Sequence, residues 1–229
     1  MGNLENFSEL DYKILTVDSP YLDVFPDIIN ESWGSFFEAN PKIFKDRVNS
    51  GNIFIGAYLE DKPVGLLETI ALKLKESNTM IIQPYQKARE MCEQIGDYNQ
   101  LTNNGMWKPY EKNSNVLVLV DITVPEEYRG TPIASGIVDT ARILISPRNK
   151  EEQETRAKLA SAETMEKLAN LNYALTFTPN FWKIKEWHKK QGAFDTEFVL
   201  KNARFGYNLP DVNFMCYIAP GYWAKSLEK

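Results

Sequence analysis

The nine residues Val116-Leu-Val-Leu-Val-Asp-Ile-Thr-Val124 constrain the fold more than any other stretch of the chain. They are apolar or β-branched at nearly every position, so a strand made of them turns apolar side chains to both faces. Such a strand belongs in the middle of a sheet covered on each side. Directly behind it come Pro125-Glu-Glu-Tyr-Arg-Gly-Thr-Pro132, and then Ile133, Ile137, Val138, Ala141, Leu144 and Ile145 at helical spacing. A central strand therefore runs through a short loop into an amphipathic helix. The amides of a helix's first turn lack intrahelical partners and its dipole favours negative charge there, so this junction is a ready anion site with the geometry for a diphosphate.

The rest of the chain supplies a mixed α+β frame. Residues 11–16 read as a short strand, followed by a turn at Asp18-Ser19-Pro20 and a helix with Val24, Ile28 and Ile29 on one face. Asn40-Pro41 has the chemistry of a helix cap with Pro at the first helical position, and places Ile43, Phe44 and Val48 inward. Ile53–Leu59 and Val64–Leu72 read as a hairpin joined by Glu60-Asp61-Lys62-Pro63. Residues 73–115 break the rhythm and are expected to be an insertion. Asn149 is expected to cap a helix carrying Leu159, Ala162, Met165 and Leu168; Tyr173–Phe177 reads as a second buried strand. Pro179-Asn180 opens a helix that stops at Gln191-Gly192, and residues 194–200 and 212–218 read as two closing strands. With no interior linker rich in Pro, Gly or Ser, residues 1–229 are expected to form one domain.

Composition closes off several function classes. A net charge of −5 gives no basic footprint for nucleic acid, and no apolar run is long enough to span a bilayer. Cys92 and Cys216 stand 124 residues apart without metal-ligand spacing, so neither a disulfide scaffold nor a metal is expected. The N-terminus lacks the basic and then apolar order of a secretory signal, which makes the cytoplasm the expected location.

The loop at the end of the central strand resembles the phosphate-binding signature of the GNAT superfamily of acyl-CoA-dependent N-acyltransferases, [QR]-x-x-G-x-[GA] after an apolar-x-Val strand end. Here it reads Arg129-Gly130-Thr131-Pro132-Ile133-Ala134 after Ile122-Thr123-Val124. Arg129 and Ala134 match, and Pro132 stands where the family has Gly. Pro brings no amide and fills space that Gly leaves open, yet it suits a first helical position with Thr131 as cap, so Gly130, Ile133, Ala134 and Ser135 would still offer amides. The later segment Asn180–Gly192 is similar to the superfamily's helix ending in Tyr-x-x-x-Gly-Phe, with His188 in the place of that Tyr and Phe194 one residue late.

The resemblance implies a mostly antiparallel sheet flanked by helices and splayed between its two middle strands. Ile122–Val124 on one side and Tyr173–Phe177 on the other would form the cleft for acetyl-CoA or another acyl-CoA. The cofactor-binding set it implies is Ile122, Thr123, Val124, Arg129, Gly130, Thr131, Ile133, Ala134, Ser135 and Asn180. A bulge in the central strand would leave backbone groups for the pantetheine arm, and an amide near Val124 would polarise the thioester carbonyl. The acceptor would be a small amine or a peptide amine that attacks directly, in keeping with the absence of any Ser-His-Asp or Cys-His pattern.

His188 is the implied proton donor to the leaving thiolate, against the plain alternative of a half-exposed residue beside Trp187. Family members often carry a base four or six residues before the strand-end Val, but Val120 and Val118 stand there. Asp121 is the acid on that strand, and strict alternation turns it to the opposite face unless a bulge re-aims it. Glu68 and Glu31 are further candidates, each with the plain alternative of a solvated charge. Lys183, Lys185, Lys189 and Lys190 could meet a 3′-phosphate or form a solvated face, and Trp182, Trp187, Phe205, Tyr217, Tyr222 and Trp223 could line a pocket or pack the core. The expected activity is N-acyl transfer. The alternative is an acyl-CoA sensor or scaffold, and homodimerisation is left open.

Overall fold

The computed structural model describes residues 7–33, 39–76, 84–179, 182–200 and 211–218. Within these residues seven strands make one sheet: β1 Leu10–Ile14, β2 Ile55–Leu59, β3 Lys62–Leu72, β4 Val116–Thr123, β5 Tyr173–Pro179, β6 Phe194–Leu200 and β7 Val212–Ile218. Their order across the sheet is β1-β2-β3-β4-β5-β7-β6. Neighbours are antiparallel except β4 and β5, which run parallel. A parallel pair needs a crossover connection, and the helices between these two strands supply it.

Among the described residues eight helices flank the sheet: α1 Phe25–Trp33, α2 Pro41–Val48, α3 Pro84–Ile95, α4 Tyr98–Thr102, α5 Ile133–Ile145, α6 Lys150–Leu159, α7 Ala162–Leu168 and α8 Trp182–Lys190. They form two layers. On one face Phe25, Ile29, Phe44, Met91 and Leu101 from α1 to α4 cover Leu66, Ile70, Val118 and Leu175. On the other, Ile133, Ile137, Ala141 and Leu144 of α5 cover Ala57, Leu67, Leu119 and Ala174. The central position of β4, covered on both sides, follows from its unbroken apolar sequence.

Local chemistry explains where elements begin and end. Asn40 caps α2, its Oδ1 accepting from the Ile43 amide at 2.9 Å. The β2–β3 turn is tighter than expected: Glu60 and Asp61 take φ of 51° and 61°, the two left-handed positions of a two-residue hairpin. Pro63 therefore lies inside β3, opposite Tyr58 and next to a register shift that tolerates its missing amide. The single helix expected after Asn149 is two helices. Ser161 accepts from the Thr164 amide at 3.2 Å and restarts the chain as α7. α6 buries none of its residues, so packing does not hold the two together as one rod.

Candidate functional site

The central strands part company. β4 and β5 pair from Val116–Tyr173 to Leu119–Thr176 and no further, although β4 continues to Thr123 and β5 to Pro179. Beyond that point β4 stays with β3, through Asp121, Ile122 and Thr123, while β5 stays with β7, through Phe177, Thr178 and Pro179. The Thr176 hydroxyl, donating to the Leu119 carbonyl at 3.3 Å, marks the root of the fork.

A bulge in β4 lies just above that root. Glu68 pairs with Asp121 and Thr69 with Leu119, so Val120 is the extra residue on the β4 side. Its effect is to reverse the facing of everything beyond. Val116, Val118 and Val120 face the α1–α4 layer, and Asp121 then sits opposite Glu68 on that same face, while Ile122 and Val124 turn toward α5. Strict alternation put Asp121 on the α5 face; one inserted residue moves it.

At the open end of the fork the chain passes through Gly130, whose φ of +84° needs glycine and whose missing Cβ would meet nothing within 4 Å. Pro132 already has helical angles, φ −67° and ψ −8°. The Gly136 amide donates to the Pro132 carbonyl at 2.9 Å, so the amides of Ile133, Ala134 and Ser135 lie ahead of that bond at the helix start. Thr131 caps only loosely: its hydroxyl donates to the Tyr128 carbonyl at 2.6 Å and receives the Ile133 amide at 3.5 Å. Gly65 seats this first turn on β3, because a Cβ there would come within 2.8 Å of Ile133 and 2.9 Å of Ile137. Ile122, Thr123, Val124, Arg129, Gly130, Thr131, Ile133, Ala134 and Ser135 thus form one continuous stretch from the free edge of β4 to the head of α5. Asn180, with Phe181, Phe205, Tyr222 and Trp223, lies outside the described residues.

Below the bulge on the α1–α4 face is a buried polar cluster. The Arg47 guanidinium donates through Nη1 to both Glu68 carboxylate oxygens at 3.4 Å and through Nε to the Gly105 carbonyl at 2.8 Å. It also stacks 4.1 Å from the Trp107 ring centre. Asp121 accepts from the Thr123 hydroxyl at 2.5 Å. Arg47, Glu68 and Asp121 are 3%, 1% and 4% exposed, so this is an interior site. Burial pushes the Glu68 carboxyl up to about 8; Arg47 opposes that rise and the charge of Asp121 adds to it. Glu68 is therefore not a solvated charge, whereas Glu31 is exposed. A lone acid in the otherwise apolar run Val64–Leu72 was the available signal for it, and nothing local pointed to Arg47.

His188 is not half-exposed. It is 4% exposed, with Nδ1 2.7 Å from the Tyr217 hydroxyl and its ring edge-on to Trp187. Burial pushes its pKa down to about 4, so at neutral pH it is a neutral imidazole and not the imidazolium expected from an ordinary histidine. Its polar partner Tyr217 was foreseen only as a pocket or core aromatic. Trp182 is 71% exposed, which excludes it from the core. Lys185 is held by Asp195 at 2.5 Å and Lys189 by Glu186 at 2.8 Å.

The histidine shift has a sign that can be measured. Between pH 6.5 and about 4 the unfolded chain binds a proton that folded His188 refuses, so stability falls as pH drops through that window, by about 3 kcal/mol for a shift of this size. His188→Gln is expected to flatten this component of the Tm–pH curve relative to the parent, read by calorimetry between pH 4 and 7.

No family model matches the sequence, and no curated protein matches it. Solved structures do match. An acetyltransferase of the GNAT family from Streptococcus pneumoniae aligns over 92% of this chain and 99% of its own at 11% identity, with a TM-score of 0.53. The chain has the GNAT fold. Two further GNAT-fold neighbours span similar shares. Aminoglycoside 6′-acetyltransferase type Ii aligns over 91% of this chain and 96% of its own, at 13% identity and a TM-score of 0.52. The GphF GNAT-like decarboxylase, solved with isobutyryl-CoA, aligns over 91% and 98%, at 9% identity and a TM-score of 0.57. The sheet splayed between its middle strands, expected from the sequence, is the GNAT arrangement found here.

Proposed function

We propose that this protein is an acyl-CoA-dependent N-acyltransferase that moves an acetyl or other short acyl group to a small amine or a peptide amine. The observation that carries the reading is the stretch of β4 above Leu119 that has left β5, continuous with the amides at the head of α5. An extended pantetheine arm can add to such an edge as a further strand, and a diphosphate can rest on Gly130, Ile133, Ala134 and Ser135. Those residues fit the group: Gly130 leaves open space and Pro132 keeps the turn helical. Arg129 adds a cation beside them.

Near the bulge, a backbone amide at Ile122 to Val124 polarises the thioester carbonyl. The amine nitrogen attacks the carbonyl carbon, and the C–S bond breaks as the tetrahedral oxyanion collapses. The proton released by the amine passes to the Asp121–Glu68 pair. Acetyl-CoA and a panel of amines, followed by free-thiol release, test the reading. Acceptor-dependent release above the blank supports it, and no release with any acceptor contradicts it.

The second reading, an acyl-CoA sensor without useful turnover, is favoured by one observation: Pro132 removes an amide from the phosphate loop. CoA binding in calorimetry without thiol release from any amine would select it.

A further inference from the structure

Behind α4 the chain turns through left-handed backbone. Asn103, Asn104, Gly105 and Trp107 take φ of 52°, 56°, 84° and 57°. Asn and Gly accept that conformation readily, but a side chain as bulky as Trp holds it only where its surroundings impose it. Buried Thr102 supplies the staple: its hydroxyl donates to the Tyr98 carbonyl at 2.9 Å and receives the Gly105 amide at 3.0 Å. The Trp107 amide donates to the Thr102 carbonyl at 2.7 Å, and the Lys108 carbonyl accepts from the Asn52 side chain at 2.7 Å, which anchors the outgoing chain.

This turn grips Arg47 of α2 at two points. The Gly105 carbonyl takes Nε and the buried Trp107 ring covers the guanidinium plane, so Nη1 is aimed at Glu68. An arginine side chain has several rotatable bonds, and fixing it at both Nε and its flat face leaves one orientation. The groups that face Glu68 are Arg47 from α2, Asp121 from β4 and Tyr98 from α4. α1 also packs on β3, but its acids Asp27 and Glu31 are exposed, and Tyr58 of β2 lies in the field of Asp11 at the other end of the hairpin. Arg47 is thus the one cation in this buried group.

Resting on the N-acyltransferase reading, we infer that Gly105 and Trp107 are positioning residues for the proton acceptor: the turn 103–107 holds Arg47 against Glu68, so that the carboxylate pair keeps a vacant proton site while the amine attacks. Neither residue meets the reacting atoms; both act through the guanidinium. Arg47 favours the ionised carboxylate against burial and the like charge of Asp121, and that help falls away as the ions separate. A guanidinium released from the turn would leave the two opposing effects unchecked, and the pair would keep its proton to higher pH.

Thiol release from acetyl-CoA with an accepted amine, followed against pH in Trp107 variants, tests this. Trp107→Leu keeps apolar bulk but removes the ring face; it is expected to lower kcat/KM about tenfold near neutral pH and to move the climb of the profile up by about one pH unit. Activity should recover toward the parent's as pH rises further, and the KM for acetyl-CoA should not change. Trp107→Phe restores a ring face and is expected to stay within about threefold of the parent. The carboxyl stretch of protonated Glu68, identified in infrared difference spectra by its loss in Glu68→Gln, should show the same upward shift without turnover. Should Trp107→Leu fail to fold, Thr102→Val, which keeps the side chain's shape and removes the staple, is expected to shift both readouts the same way by a smaller amount. A lower plateau at an unmoved midpoint, with an unmoved carboxyl band, overturns the inference and leaves N-acyl transfer standing. A shifted band in a protein that releases thiol with no amine overturns the transferase reading, and the role in proton transfer with it.

Discussion

Asp121→Asn is expected to lower kcat/KM for amine acylation by about 10²–10⁴-fold, the usual worth of a positioned proton acceptor. Glu68→Gln is expected to fall in the same range. The double variant should be little worse than the poorer single one, because two carboxylates that share a proton act as a unit. The pH profile separates this role from a structural one. With Glu68 raised to about 8, the pair already holds a proton below that pH and is free to accept the amine's proton above it, so kcat/KM should climb to a plateau above 8. Glu68→Gln should remove that climb. Stability moves the other way. Between its ordinary value and about 8, folded Glu68 keeps a proton that the unfolded chain has released, so the fold loses stability as pH rises. Opposite slopes of activity and stability, both flattened by Glu68→Gln, are the signature.

Arg47→Met is expected to cost about 3–5 kcal/mol in urea denaturation at pH 9, where Glu68 is ionised, because it leaves that buried carboxylate without its cation. The cost has further sources in the same residue. The Gly105 carbonyl loses the Nε donor at 2.8 Å, and Trp107 loses the guanidinium 4.1 Å from its ring. Adding Glu68→Gln to Arg47→Met should return part of the loss, since the neutral amide no longer needs a counter-charge. An equal cost in the single and double variants would mean that packing on Trp107, not charge, is what Arg47 supplies.

The legible parts of the fold are those set by local rules. The middle position of β4 follows from Val116–Val124, the α2 start from Asn40-Pro41, the α8 stop from Gly192, and the entry to α5 from Pro132. The GNAT fold itself was readable because a strand, a loop and a helix with that spacing recur with the later helix in fixed order. What stayed hidden depends on residues distant in sequence. The extra residue at Val120 shows only when β4 is laid against β3, and with it the facing of Asp121. Arg47 and Glu68 meet across α2 and β3, and the burial that neutralises His188 comes from β7, 29 residues away. The break at Ser161 was missed because Ala162, Met165 and Leu168 continue the apolar pattern across it.

The fork between β4 and β5 is tested most directly by a crystal structure of the full chain with acetyl-CoA. The account predicts the pantetheine arm hydrogen-bonded along Ile122–Val124 above the last paired residues, Leu119 and Thr176, with the diphosphate on the amides that follow Gly130. Acetyl-CoA bound elsewhere on the molecule, or a complex in which β4 and β5 pair to their ends, would contradict it.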